Sequence, residues 1–284
     1  MTTAQRIIKY CAIAFAIAII AGIIQAFLGI LGVFTSDSSI GEVRKEAFEI
    51  KEDQDISRLI LKYKAGTVEI ATGDFAYETN NEKLKVNVAG DTIELLDKSN
   101  NSFHFNSNKS YLKIFIPEDL VFNTVDIEIG AAKVKIDKLY AKKIDYEVGA
   151  GATTIKDIRA TEEFKAETGA GAFKIKNGVI NNLTSEFGAG EVTINATLTG
   201  TNKLDCGIGS LNLKLLDSIE NYTIKASKGL GEIKLNGDKL SDRKTVGNGI
   251  NTVYLEGGVG SIKVDTTETK TEEPTTQMNE KKEE

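Results

Sequence analysis

The segments IGAAKVKI (129–136), VGAGATTI (148–155), TGAGAFKI (168–175), FGAGEVTI (187–194) and CGIGSLNL (206–213) align without gaps, at steps of 19, 20, 19 and 19 residues. Looser copies are KAGTVEI (64–70), KGLGEIKL (228–235) and GGVGSIKV (257–264). Before each glycine corner the chain alternates, as in Val125-Asp126-Ile127-Glu128-Ile129 and Ile144-Asp145-Tyr146-Glu147-Val148. After it comes a second, shorter alternation, such as Phe173-Lys174-Ile175 or Val192-Thr193-Ile194. A period of two marks strands with one buried and one wet face. Two strands joined at a Gly-x-Gly corner, followed by a polar return such as 197–201, make one coil. A segment this short cannot bury its apolar face alone, but stacked copies can. The expected fold is all-β, a β-solenoid of two-strand coils about 19–20 residues long. A plain antiparallel sandwich would alternate too, but would not hold an aligned motif at a fixed step.

The corner glycines, Gly149, Gly151, Gly169, Gly171, Gly188, Gly190, Gly207 and Gly209, read as structural. A sharp corner requires φ > 0, and stacked coils bring backbones close together. A phosphate-cradling glycine loop needs a third glycine and a following helix, whereas strand alternation follows here. GGVGSIKVD (257–265) touches the calcium-binding nonapeptide pattern but has Ile262 where that motif places an aspartate.

Working outward, residues 43–124 read as less regular coils of the same structure. Leu59, Leu61, Tyr63, Val68, Ile70, Leu84, Val86, Val88, Leu112, Ile114 and Ile116 are expected to face inward. The polar stretch 98–110 is expected to be a long turn carrying Phe103 and Phe105. At the other end, 266–284 lacks apolar periodicity and is expected to be a disordered acidic tail.

Residues 11–34, CAIAFAIAIIAGIIQAFLGILGVF, hold one polar side chain, Gln25. As a helix this segment would be ~36 Å long, enough to cross a ~30 Å hydrocarbon core with tilt. A cleaved signal peptide would have an apolar region of about 7–15 residues ending at a small-x-small site, so the segment reads as an uncleaved anchor. Arg6 and Lys9 precede it, which places the N-terminus in the cytoplasm. The expected organisation is a cytoplasmic 1–10, a transmembrane helix 11–34, a linker 35–42, an extracellular β-solenoid 43–265 and the tail 266–284. Ala14, Ala18, Gly22 and Ala26 recur every four residues, a stripe suited to helix–helix contact within a membrane dimer.

Composition narrows function. The 284 residues include 2 Cys, 1 His and no Trp. That excludes a Cys/His zinc site and a disulfide-stapled scaffold. Any histidine-dependent nucleophile would have to use His104, which lies between two aromatic residues in a polar turn. Cys206 shares the inward column of Ile129, Val148, Thr168 and Phe187 and reads as a small buried group, while Cys11 lies at the membrane edge. The net charge is −6, and no basic patch stands out along the chain, which argues against nucleic acid. No cofactor is expected.

The order of anchor, YLKIFIPEDL (111–120) and repeated Gly-x-Gly coils resembles a bacterial "putative adhesin" domain family of unknown function, LiaG-like envelope proteins among them. The resemblance spans about 43–265. It implies a surface-side β-solenoid on a membrane anchor, without enzymatic activity or a catalytic motif, and its LiaG-like members imply a link to envelope stress.

One column invites a binding role. Glu128, Glu147, Glu167, Glu186 and Asp205 precede successive corners. Stacked strands lie ~4.8 Å apart, so like charges would face one another, to be compensated by Lys165 and Lys203, by a metal cation or by a cationic partner. The leading expectation is a non-enzymatic, membrane-anchored extracytoplasmic surface that is adhesin-like, an envelope scaffold or ligand-binding. The alternative is an envelope-stress sensor or regulator acting with a membrane partner. A third is a polysaccharide-active enzyme using paired carboxylates. Expected partners are membrane lipid, an envelope protein or polysaccharide, and a second copy through the membrane helix.

Overall fold

The alternation that defines each coil becomes a wall of stacked parallel strands. A computed structural model of the chain describes residues 42–99 and 110–267. Its fourteen strands form one sheet. They are β1 (Arg44–Ala47), β2 (Arg58–Thr72), β3 (Ala76–Thr79), β4 (Leu84–Ala89), β5 (Thr92–Asp97), β6 (Tyr111–Ile116), β7 (Phe122–Ile175), β8 (Gly178–Asn181), β9 (Leu183–Thr199), β10 (Thr201–Ser218), β11 (Tyr222–Leu235), β12 (Asp238–Leu240), β13 (Lys244–Val246) and β14 (Asn251–Thr267). β7 winds through three successive coils without leaving extended conformation. The described residues are all-β apart from a 3-10 turn at Ile219–Asn221.

Register matches the repeat residue for residue. Glu167 lies beside Glu186, Thr168 beside Phe187 and Gly171 beside Gly190. Asp205, Cys206 and Gly209 continue these three columns. Parallel pairing without offset is what keeps every inward residue inward, because a one-residue slip would turn the whole apolar set to solvent.

Two expectations change here. The coils are three-sided in the middle of the stack, not two-strand with a polar return. Ile158–Ala160 pairs with β8, and β8 pairs with 197–199, forming a short third wall. Leu139, Ala141, Ile158, Ala160, Ile180, Ala196 and Leu198 are all buried, so this side carries its own inward alternation. The first and second walls meet at the glycine corner.

The ends also differ from a plain run of coils. β2 is a full coil stacked on β7, but its other neighbour is a split coil. β5 pairs with the first wall of β2, and β6 with the second. Residues 98–110, expected as a long turn, separate them in sequence, and 100–109 lie outside the described residues. Antiparallel strands then cover both halves: β4 on β5, β3 on β6, and β1 on β3. At the far end β13 and β12 cover the two walls of β11 in the same antiparallel manner. An open parallel edge would present unpaired N–H and C=O groups, and these short strands terminate it.

The far end breaks sequence order. β14 inserts between β10 and β11, pairing in parallel with both, so the copy at 257–264 precedes the copy at 228–235 along the stack. Both carry the same corner motif and inward residues, so sequence similarity could not order them.

One continuous core runs through the stack. Tyr146, Phe173 and Phe187 form an aromatic cluster within it, with successive ring centroids 5.8 and 5.4 Å apart. Tyr146 fits because Ala166 and Ser185, the next residues of its column, are small. Its buried hydroxyl is paired with Thr153 Oγ1 at 2.7 Å, tying the first wall to the second across the core. Burial holds the Tyr146 phenol well above its ordinary pKa, against the smaller lowering effect of that hydrogen bond.

The corner sets the coil spacing. Gly190 has φ 142°, and a Cβ there would lie 1.8 Å from the Gly171 carbonyl oxygen. Gly90, in the β4–β5 turn, also has positive φ (59°) but faces open space. Gly90→Ala therefore isolates the conformational cost, about 1 kcal/mol, whereas Gly190→Ala adds a backbone clash and should cost about 3 kcal/mol or more. Urea unfolding of the two full-length variants measures the difference. Equal losses would show that backbone approach at the corner is not limiting.

Candidate functional site

The two outer walls that meet at the glycine corner carry opposite chemistry. On the first wall, Lys62 lies beside Glu128, Glu167 beside Glu186, and Asp205 between Glu186 and Glu256. The 19- and 20-residue steps seen at Gly130, Gly149 and Gly169 place Glu147 between Glu128 and Glu167. All five expected acids thus form one exposed column. Glu256 extends it, a member that the sequence reading missed because it ordered the last two copies by position along the chain.

The column is closed by a lysine other than the two expected. Lys62 Nζ is 2.5 Å from Glu128 Oε2. The hydrogen bond and charge of Glu128, with Asp126 and Glu147 behind, hold the Lys62 ammonium above its ordinary pKa. Lys165 instead meets Glu163 on its own strand, at 3.7 Å. Among the described residues no group of three or more His, Cys, Asp or Glu side chains converges as a metal site. Parallel carboxylates on adjacent strands point the same way and do not surround a point.

At the corner, Gly151, Gly171, Gly190 and Gly209 have positive φ; Gly149, Gly169, Gly188 and Gly207 do not. The latter four are required by space alone. A Cβ on Gly188 would lie 2.3 Å from the Gly169 carbonyl oxygen. The residue between the glycines is alanine in three coils and then Ile208, Val259 and Leu230, which lie side by side and exposed.

The second wall holds what sequence reasoning did not find. A groove of about 470 Å³ is lined by Lys113, Lys133, Lys135, Lys156 and Lys176, with Glu69 and Asp137. Five lysines against two carboxylates leave a surplus of three positive charges. Ala71, Ala152 and Thr154 form its shallow floor, and the lysines rise around them. Glu69 is shared between Lys135 (3.3 Å) and Lys113 (4.0 Å), and Asp137 meets Lys156 at 2.6 Å. Lys133 and Lys176 form no ion pair among the described residues. The lysines are scattered along the chain, so no linear run reveals them. Folding each through the coil step would have done so.

The other expected positions are quickly placed. Cys206 is a free, buried thiol, pushed up in pKa by burial and then by the charge of Asp205. Cys11, His104, the span 11–34 with Ala14, Ala18, Gly22 and Ala26, and the tail from 268 lie outside the described residues. Among the described residues no helix is long and apolar enough to cross a membrane.

Residues 56–273 match the family model described as Toastrack DUF4097. No curated protein matches the chain. Similar solved structures include the following three. A "putative cell adhesion protein" from Clostridium sporogenes is 15% identical, covers 80% of this chain and 99% of its own, and has a TM-score of 0.34. A "putative adhesin" from Bacteroides fragilis is 14% identical, covers 79% and 97%, and has a TM-score of 0.32. One from Parabacteroides merdae is 10% identical, covers 80% and 97%, and has a TM-score of 0.36. At such TM-scores these likenesses carry no argument.

The acidic column makes a stability prediction. Replacing Glu167 and Glu186 by Gln in the full-length protein should raise Tm by about 2–4 °C at low salt, because two like-charged neighbours are neutralised. The gain should shrink as added salt screens the column. Calorimetry at two ionic strengths checks this, and an unchanged or lower Tm at low salt would show that the carboxylates do not repel.

Proposed function

Since the chain belongs to the Toastrack DUF4097 family, we propose that it is a non-enzymatic, adhesin-like β-solenoid anchored in the cell membrane by residues 11–34, with its binding face outside the cell. The observation that carries this reading is the parallel register. It turns each outward position into a straight column, with acids from Glu128 to Glu256 on one wall and lysines around a groove on the next. A columnar surface suits repeated weak contacts with an extended partner such as an envelope polymer or protein. Paired-carboxylate catalysis would require two carboxyl groups held on either side of a cleft, whereas these acids point the same way from one wall. The antiparallel end strands support the same reading, since they stop the solenoid from polymerising edge to edge and leave its walls as the surfaces on offer.

The 24-residue apolar span and the preceding Arg6 and Lys9 support the topology. With an epitope at the C-terminus, external protease applied to intact protoplasts should remove the epitope and leave an anchored stub of about the first 40 residues. Protection until the membrane is opened, or a mature chain lacking 1–34, would overturn the proposed topology.

A further inference from the structure

The lysine groove has features that a solvated charged face lacks. It is concave, its floor is short side chains, and its charge is unbalanced in one direction. It also runs along the stack. Lys113 stands on β6, Lys133 and Lys135 on the first coil of β7, Lys156 on the second and Lys176 just past the end of the third, with β2 between β6 and β7. Four inter-strand steps make a strip roughly 19 Å long. That is too long for one phosphate or carboxylate and suits several successive anionic groups on one chain. The lysine ammonium is a compact, freely pointing charge that satisfies phosphate oxygens without fixed geometry.

The lining also argues about what kind of polyanion enters. It holds no arginine fork and no asparagine or glutamine, and the neighbouring ring, Phe115, is already covered by the Lys113 and Lys45 ammonium groups. Base edges would have nothing to read them, and unstacked bases no platform. Thr154, at the centre of the floor, offers a hydroxyl for a single anionic oxygen. A strand-shaped ligand fits a rimmed groove better than a flat surface does.

We propose that this groove, formed where Lys113, Lys133, Lys135, Lys156 and Lys176 surround Ala152 and Thr154, binds a linear polyanion whose charges are phosphate groups. The proposal rests on the reading of the chain as a binding surface and names the ligand chemistry of one wall. Contact is electrostatic, so affinity falls steeply with salt. Glu69 and Asp137 hold Lys113, Lys135 and Lys156 in place around the groove, and the ligand's phosphates take up the remaining positive charge.

The test uses the full-length protein in a non-ionic detergent and fluorescently labelled inorganic polyphosphate, read by anisotropy. Lys133→Gln, Lys156→Gln and Lys176→Gln together should weaken binding about tenfold or more and lower the slope of log Kd against log salt by about 2. The control set Lys165→Gln, Lys203→Gln and Lys225→Gln, on the first wall, should change affinity less than about twofold. Circular dichroism establishes that both sets fold. Phosphatidylglycerol added to the detergent micelles should compete weakly, and competition as strong per phosphate as that of unlabelled polyphosphate would assign the phosphates to a lipid surface and overturn the linear ligand. Equal loss in the two variant sets, no binding by the wild type, or equal affinity for duplex DNA would each overturn the proposal. Protoplast shaving is independent of this titration, so failure of the ligand assignment and failure of the surface reading are separable.

Discussion

Everything in this molecule follows from how closely one backbone passes over another at the glycine corner. In a parallel sheet, strands stack about 4.8 Å apart. At a sharp bend that spacing brings a Cα of one coil over the carbonyl oxygen of the next. Gly188 over Gly169 and Gly190 over Gly171 show the result, with no room for a Cβ at either place. A larger residue would push two coils apart locally, and because the coils are continuous strands the gap would extend into both walls. Where the second glycine gives way, at Ala132, the backbone leaves the positive-φ region and the methyl group is fully buried. The constraint therefore acts on direction as well as on volume.

Once the corner is fixed, register is fixed, and with it the chemistry of each wall. A residue type repeated at one step becomes a column, whether or not the column is favourable. The acids from Glu128 to Glu256 accept like-charge proximity because they are wet, and Lys62 closes one end. The lysines of the second wall gather by the same geometry, but carboxylates at Glu69 and Asp137 interrupt them and alanines between them leave space. Adjacent walls of one solenoid thus acquire opposite charge without any long-range design, only different residues on either side of the same turn.

The fold was legible in the sequence to the extent that it depends on near neighbours. The Gly-x-Gly step and period-two alternation dictate coils, inward columns and the acidic ladder. The third wall was obscured because Leu139, Ile180 and Leu198 lie among threonines, lysines and asparagines, and short stretches with so few apolar residues read as turns. The split coil of β5 and β6 was obscured because two separate strands supply its two walls. The basic groove depends on residues that only stacking brings together, so it follows from the register and not from local composition. The belt of alanine, isoleucine, valine and leucine between the corner glycines was readable position by position, but its exposure required knowing that this residue points outward at the bend.

The insertion of β14 between β10 and β11 has a consequence for biosynthesis. A chain emerging amino end first completes β11 before β14 exists. At that moment the free edge of β10 offers a parallel template, and β11 carries the same Gly-x-Gly corner and inward spacing as β14. β11 must therefore either wait undocked or settle in the wrong slot and leave it again. The native order is reached only when residues 251–267 have been released and can wedge into place. The solenoid is thus closed by a late, non-sequential step, and a stalled or truncated chain would present an unclaimed edge to any chaperone, protease or neighbouring chain that pairs with strands.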